Sequence, residues 1–227
     1  MSDEALVQQA LRVYHRYQLE VVEALNLCPW AVHARVAGRV AERVLLQRDH
    51  SHRPSMQVIR ELEAQPKFEI GLLIFPRLKL NLSGFERFVA ELREADTTQW
   101  PLGGVPFASA AFHPEARRTS DTPERLVQYI RRTPDPTIQL VRRSVLDKVR
   151  RGPGDGTQFV DLNTVSLADL PKPPKPLREV VAATNAETLI EHGFSRFDAL
   201  IEDIRRDRDG SYAALGEASG QGESVSP

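Results

Sequence analysis

The N-terminal part of the chain has the apolar spacing of an amphipathic helix. Its apolar residues recur every three or four positions and would form one stripe on a helical surface. They are Leu6, Ala10, Val13, Tyr17, Val21 and Leu25. The pattern predicts a helix over residues 3–25 that Asn26 ends. A short second helix is predicted after Pro29, ending near Gly38.

The middle of the chain alternates between short apolar runs and helical patterns. The strongest strand signal lies at residues 68–75, where residues 70–75 are apolar on both faces, as in a strand covered on both sides. Further strands are predicted at 41–47, 105–112, 137–141 and 157–162, and helices at 54–63, 83–94, 123–132 and 144–151. The alternation predicts an α/β fold with a layered, mostly parallel or mixed sheet of about four strands, flanked by helices.

The last quarter of the chain changes character, which predicts four parts in all. Residues 1–168 form the α/β domain, and the proline-rich residues 169–177 form a stiff linker. Residues 178–207 form a C-terminal helical appendage that docks on the domain. Capping boxes at Thr184 and Ser195 are expected to start its two helices, with Gly193 between them. Residues 208–227 are rich in Gly, Ser and Glu and are expected to be a disordered tail that adds nothing to folding.

Composition narrows the range of functions. Hydrophobic content of 41% and charged content of 27% are typical of a soluble globular protein. The formal net charge of −1 gives no general attraction to nucleic acid or membrane, so neither is an expected partner. A single cysteine, no signal-peptide pattern and no membrane-spanning apolar run predict a cytoplasmic protein. No metal site or cofactor motif is recognisable, and no particular oligomeric state is predicted.

Cys28, the only cysteine, lies at the break between the first two predicted helices. At or near the N-cap of the second helix, its thiol would meet unpaired backbone N–H groups and the positive end of the helix dipole. Both favour the thiolate, which is the reactive form of cysteine. The alternative interpretation is a small buried side chain that packs against Trp30 and has no chemical role.

His113 is the second candidate, because it ends the strand predicted at 105–112. The carboxyl end of such a strand is where α/β sheets bind ligands. Pro114 turns the chain there, and Glu115 is near enough to orient the imidazole ring. The alternative interpretation is a histidine that only caps the strand end by hydrogen bonding.

Four arginine pairs form the third candidate. Residues 113–151 contain ten Lys and Arg residues against five Asp and Glu, a local excess of five positive charges. The pairs are Arg117-Arg118, Arg131-Arg132, Arg142-Arg143 and Arg150-Arg151. Arginine binds phosphate and carboxylate in a bidentate geometry, so a convergent set would form an anion site. The alternative is that each pair is solvated and faces a nearby carboxylate.

Three segments also resemble, in composition and order, those of a known family. They are Leu25-Asn26-Leu27-Cys28-Pro29-Trp30-Ala31, Ala110-Ala111-Phe112-His113-Pro114 and residues 132–142. Together they resemble the bacterial domain-of-unknown-function family numbered 1415, over roughly residues 10–165. The chain departs from the family pattern at Glu115 and Ala116, which replace an Asp and an aromatic residue, and at Gln139, which replaces a His. The resemblance implies no established activity, and Cys28, His113 and Arg142 are the positions that match it.

These features lead to a main hypothesis and two alternatives. The main hypothesis is a cytoplasmic enzyme in which Cys28 is the nucleophile or redox centre and His113 the acid or base, acting on a small anionic substrate. Arg142 and Arg132 would hold the anion, with Trp30 beside it in the substrate-binding set. The first alternative is a non-catalytic module that binds a phosphorylated ligand or an acidic partner through the arginine-rich face. The second is a structural protein that binds a partner through its C-terminal helices.

Overall fold

The computed structural model describes residues 2–28, 30–99, 104–116, 123–151 and 177–217. The strand predicted at 157–162 and most of the predicted linker lie outside the described residues. Pro29 and the pair Arg117-Arg118 also lie outside them.

The described helices and strands are, in chain order, α1 Asp3–Arg16, a π-helix Tyr17–Glu23, α2 Ala31–Val36, β1 Val40–Val44, α3 Arg53–Glu63, β2 Ile70–Ile74, α4 Leu82–Gln99, β3 Phe107–Phe112, α5 Pro123–Ile130, β4 Thr137–Arg142, α6 Arg143–Arg151, α7 Leu177–His192 and α8 Phe194–Ala214.

The four strands form one mixed sheet in the order β1-β2-β4-β3. β1 and β2 are parallel, whereas β4 runs antiparallel to both β2 and β3. β1, β2 and β3 therefore run in the same direction, and their carboxyl ends lie at one edge of the sheet. All five residues of β2 are buried, as its two apolar faces predict. The prediction of an α/β fold with a four-stranded mixed sheet flanked by helices is confirmed.

The sheet separates two hydrophobic cores. On one face, Leu73 and Ile138 pack with α3 and α4. Gly71 lets α3 approach closely, because a Cβ at that position would lie 2.6 Å from Cδ1 of Leu62. On the other face, Leu72 and Ile74 pack with α1, the π-helix, α5, α7 and α8. This second face carries the cavity described below.

The first helix differs from its prediction in one respect. The predicted helix over residues 3–25 ends as α1 at Arg16 and continues as the π-helix to Glu23. Asn26 then adopts a positive φ of 49° and ends the helical segment, as predicted. Helix α2 begins at Ala31 with Trp30 as its N-cap, so Cys28 lies two residues before the cap.

Two predictions for the C-terminal region are wrong. The capping boxes do not start the helices, because Thr184 lies inside α7 and α8 is capped by Gly193. The tail predicted from residue 208 is ordered for at least ten more residues, since α8 runs to Ala214 and the chain is described to Glu217. Tyr212 within this part is 2% exposed and packs near the N-terminal end of α1.

Two buried polar contacts attach α8 to the segment before β4. Arg132, which is 2% exposed, donates to Asp198, and Asp135, which is 1% exposed, binds the side chains of Arg208 and Tyr212. The buried charges are paired, as their desolvation requires. The C-terminal helices therefore pack directly on the sheet domain.

Candidate functional site

A cavity of about 220 Å³ lies on the face of the sheet covered by the π-helix, α5 and α7. We call it the Cys28 cavity. Most of its wall is apolar, with aromatic rings from Tyr14, Trp30 and Phe112 among them. Its polar wall residues are Gln18, Cys28, Arg131, Gln139 and Asn185. An apolar pocket with a few convergent polar groups is the usual form of a small-molecule site.

The π-helix supplies one wall of this cavity through Tyr17, Gln18 and Val22. π-helical turns are rare and occur often at functional sites. Gln18 is 6% exposed; its Nε2 donates to Glu23 at 3.2 Å, while its Oε1 has no hydrogen-bond partner among the described residues. A buried acceptor without a donor is costly, so a hydrogen-bond donor near Gln18 would be stabilising.

Cys28 contributes its half-buried thiol to the cavity wall. Burial raises the pKa of the thiol, and the nearby backbone N–H groups of Trp30 and Ala31 lower the pKa by less. The N–H of Ala31 donates to the carbonyl of Cys28 at 3.1 Å. Backbone N–H groups of the helix start therefore lie near the thiol, as expected, but desolvation outweighs their effect on its pKa. The direction of the pKa shift is opposite to the one predicted from the sequence.

Arg131 places a positive charge on the same wall. Two hydrogen bonds hold the backbone here. The carbonyl of Ile130 accepts from the Tyr17 hydroxyl at 2.8 Å, and the carbonyl of Arg131 accepts from the backbone N–H of His113 at 3.0 Å. The guanidinium lies 5.2 Å from the centre of the Phe112 ring. No carboxylate among the described residues forms an ion pair with it, and burial lowers its pKa.

His113 lies at the carboxyl end of β3, as predicted, but it does not line the Cys28 cavity. Its Nε2 donates to the carbonyl of Leu80 at 2.9 Å, and its Nδ1 accepts from the backbone N–H of Glu115 at 3.1 Å. Burial is the main cause of its lowered pKa, so the ring is neutral. These contacts are those of a histidine that caps a strand end by hydrogen bonding.

His113 and Cys28 are therefore not brought together in a shared cavity. His113 lines a cleft of about 270 Å³ at the carboxyl edge of the sheet and a third cavity of about 230 Å³ beside α4. Arg131 borders both this third cavity and the Cys28 cavity. The geometry gives no support to a direct Cys28–His113 catalytic pair.

Comparison with known proteins gives one assignment. The model of a family of proteins of unknown function, DUF1415, matches residues 11–172, which is more than half of the chain. The chain belongs to the DUF1415 family. No curated protein and no solved structure matches it. The family is one of unknown function, so the evidence that bears on function is the geometry of the chain.

Arg132 belongs to the third DUF1415-like segment, and its guanidinium is used inside the protein. It lies 4.2 Å from the ring centre of Tyr129 and 5.1 Å from that of Phe197. Nε donates to the carbonyl of Tyr129 at 3.0 Å and Nη2 donates to Asp198. These contacts fix α8 against α5, so they give no support to the expected binding of a substrate anion by Arg132.

Arg142, at the end of the same DUF1415-like segment, is also used inside the protein. It donates to the carbonyls of Phe68 at 2.8 Å, Leu62 at 2.8 Å and Gln65 at 3.2 Å. Leu62 is in the last turn of α3, whose carbonyls lack partners within the helix. Arg142 therefore closes the end of α3 and does not line the Cys28 cavity.

The arginine side chains expected to form one face therefore lie in different places in this DUF1415 chain. Arg131 faces a cavity, Arg132 is buried between α5 and α8, Arg142 closes a helix end and Arg143 is exposed on α6. Of the site residues predicted from the sequence, Cys28 and Trp30 share the Cys28 cavity. Sequence reasoning missed Gln18, Gln139 and Asn185. The apolar residues around Gln18 are a signal that it faces the core, but they do not indicate a π-helix.

Among the described residues, no group of three or more His, Cys, Asp or Glu side chains is arranged to hold a metal ion. None of the described helices combines the length and the apolar character needed to cross a bilayer.

Proposed function

We propose that this protein binds a small organic anion in the Cys28 cavity, with the apolar part of the ligand against the sheet and its charged group on Arg131. The observation that carries the proposal is the guanidinium of Arg131, which lies on a mostly apolar wall and pairs with no described carboxylate. A cation in such a place has lost hydration without gaining a negatively charged partner among the described residues. An anionic ligand would supply the partner, in a low-dielectric site where the interaction is strong.

The polar groups of the cavity add detail to this proposal. A carboxylate matches the planar fork of an arginine. Oε1 of Gln18 is an acceptor that needs a donor, and the amides of Gln139 and Asn185 are further polar groups on the wall. The ligand is therefore expected to carry one carboxylate, an apolar body and one hydrogen-bond donor. A cavity of about 220 Å³ is below the size range typical of drug-sized ligands, which favours a small metabolite.

A second candidate function is a reaction of the Cys28 thiol with the bound ligand. It is favoured by the backbone N–H groups of Trp30 and Ala31, which lie near the sulfur, lower the pKa of the thiol and would help to stabilise a thiolate. The raised pKa of the thiol and the separate position of His113 argue against a permanently activated nucleophile. Binding is therefore the primary proposal, and thiol chemistry would depend on what the ligand brings.

A panel of paired ligands tests the binding proposal. Monocarboxylates of increasing apolar size, such as butyrate, hexanoate and benzoate, are each compared with the corresponding neutral amide by isothermal titration calorimetry. We expect the acids to bind more tightly than the amides and the affinity to increase with apolar area. Substituting Arg131→Met should abolish the preference for acids, whereas the exposed control Arg143→Met should retain it.

Two results would refute the proposal. Amides that bind as tightly as the acids would show that the cavity has no anion subsite. Acids that keep their advantage in Arg131→Met would place the anion subsite elsewhere. Chemical denaturation of both variants checks that neither result comes from partial unfolding.

A further inference from the structure

The cleft at the carboxyl edge of the sheet is distinct from the Cys28 cavity. Its walls come from residues that follow three strands running in the same direction: Arg48 after β1, Arg77 after β2 and His113 after β3. The carboxyl ends of strands are the side on which open α/β sheets bind ligands. The cleft has a volume of about 270 Å³ and a more polar wall than the Cys28 cavity.

Positive charge predominates in this cleft. Its cationic side chains are those of Arg48, Arg77, Lys79, Arg205 and Arg208, and its carboxylates are those of Glu115, Asp209 and Glu217. The five cations and three carboxylates leave an excess of two positive charges. Arg208 is paired with the buried Asp135. The carboxylate that pairs with Arg205 among the described residues is that of Glu202, at 3.9 Å, and Lys79 is exposed.

Glu217, which also lines the cleft, forms an ion pair with Arg77. Nε of Arg77 donates to Oε1 of Glu217 at 2.8 Å, and Nη2 of Arg77 donates to the same oxygen. Arg48 donates to the other carboxylate oxygen at 3.3 Å, and the side chains of Arg77 and Glu217 are only 15% and 12% exposed. Asp3 pairs with the remaining part of Arg77, at 2.8 Å. The pKa of Glu217 is lowered, mainly by Arg77, so it is ionised.

The turn after α8 brings Glu217 to this position. Gly216 has a positive φ of 70°, its N–H donates to the carbonyl of Ala213 at 2.8 Å, and the N–H of Glu217 donates to the carbonyl of Tyr212 at 2.9 Å. This pair of bonds is the Schellman motif, which reverses the chain at a helix end. Glu217 is therefore held by a local turn and by the side chains of Arg77 and Arg48.

We propose that Arg77 and Arg48 are the anion subsite of a second binding site, for a small polar polyanion such as a phosphate monoester, and that Glu217 is its internal occupant. If Glu217 leaves, the cleft loses one of its three carboxylates, and the carboxylate that still pairs with Arg77 among the described residues is that of Asp3. A phosphoryl group carries close to two negative charges and several acceptor oxygens, so it matches two neighbouring guanidinium groups better than one carboxylate does. Lys79 and Arg205 are then available for further negative groups on the ligand.

Inorganic phosphate is the probe that tests this site. Its binding to the full chain is measured by isothermal titration calorimetry at constant ionic strength. Glu217→Gln removes the competing charge and should increase phosphate affinity by about tenfold, the effect of roughly one short-range charge interaction. The control Glu191→Gln changes the net charge equally at an exposed position of α7 and should behave as the wild type. Adding Arg77→Gln to Glu217→Gln should abolish the gain.

Three results would overturn the proposed phosphate site. Equal phosphate affinity in Glu217→Gln and the wild type would show that the contact is only a structural clasp. Retention of the gain after Arg77→Gln would show that the anion binds elsewhere. If Glu217→Gln does not fold, an NMR titration of the wild type decides: phosphate should shift the amide resonances of Gly216 and Glu217 and leave that of Glu191 unchanged. Unchanged resonances at Gly216 and Glu217 would overturn the proposal.

Discussion

Removal of one hydroxyl, in Tyr212→Phe, tests how the C-terminal helix is attached. The hydroxyl donates to Oδ2 of Asp135 at 2.6 Å, and the other oxygen of Asp135 accepts from Arg208 at 2.9 Å. Tyr212 and Asp135 are 2% and 1% exposed, so water does not replace the lost donor. The phenylalanine ring keeps the stacking with Arg208, whose guanidinium lies 4.4 Å from the ring centre.

The expected cost follows from these contacts. A hydrogen bond to a buried charged group contributes about 1.5–3 kcal/mol, so the free energy of unfolding should fall by about 2 kcal/mol. For a chain of this size that corresponds to a decrease in Tm of roughly 4–8 °C. Urea denaturation measures the loss, and the m-value should not change. Tyr14→Phe is the matched control, because Tyr14 is also buried but its hydroxyl forms no hydrogen bond with a described residue. A loss in Tyr212→Phe no larger than in this control would refute the reasoning.

Three further predictions concern residues whose roles the structure changes. Truncation after Arg208 should lower Tm by several degrees relative to truncation after Glu217, since it removes the end of α8. Equal Tm values would show that residues 209–217 add nothing to folding, as the sequence predicts. Arg142→Met should lower the free energy of unfolding, measured by urea denaturation, by about 2–3 kcal/mol, because carbonyls at the end of α3 lose their donor. The control Arg143→Met, at an exposed position, should lower it little. Equal losses in the two variants would contradict the capping role of Arg142. The pKa of His113 is lower in the folded chain than in the unfolded chain. The folded state therefore gains stability that is fully present above about pH 6.5 and is lost as the pH falls toward the folded-state pKa. His113→Gln should therefore flatten the fall in unfolding free energy between about pH 7 and 5, and an unchanged slope would exclude this linkage.

The sheet is the part of the fold that the sequence predicts best. Apolar residues on both faces of residues 70–75 identify a covered strand, and β2 is buried at every position. The direction of β4 is harder to predict from the sequence, because antiparallel insertion between β2 and β3 depends on how α5 crosses the sheet. Local patterns do not contain that information.

The ordered end of α8 is not predicted from the sequence, because its contacts are with residues that are distant in the chain. From residue 208 onward the chain lacks apolar periodicity, which is the usual signal for a packed helix. Its attachment depends on Asp135, which lies more than seventy residues earlier in the sequence. A pairing of this range cannot be read from a local window, so the sequence predicted disorder where the structure has a helix.

The candidate site could be predicted only in part. Cys28 and Trp30 were identified from the break at Asn26, and both line the cavity. The arginine pair at 131 and 132 was recognised, but only the fold shows that Arg132 is buried between α5 and α8 and that Arg131 faces the cavity. Neighbouring residues after a helix point in different directions, and the sequence does not indicate which of them remains unpaired.

The most direct test of the anion-binding cavity is the alkylation of Cys28, the only thiol of the chain. Iodoacetate and iodoacetamide are similar in size and differ in charge, so the ratio of their rates reports the local attraction for an anion. Normalising this ratio to that of the urea-unfolded chain removes the intrinsic difference between the two reagents. We predict that Arg131→Met lowers the normalised ratio by about tenfold, corresponding to roughly 1.4 kcal/mol of short-range attraction, and that Arg143→Met leaves it unchanged. A ratio that is the same in Arg131→Met and the wild type would contradict the assignment of Arg131 as the anion-binding residue of the Cys28 cavity.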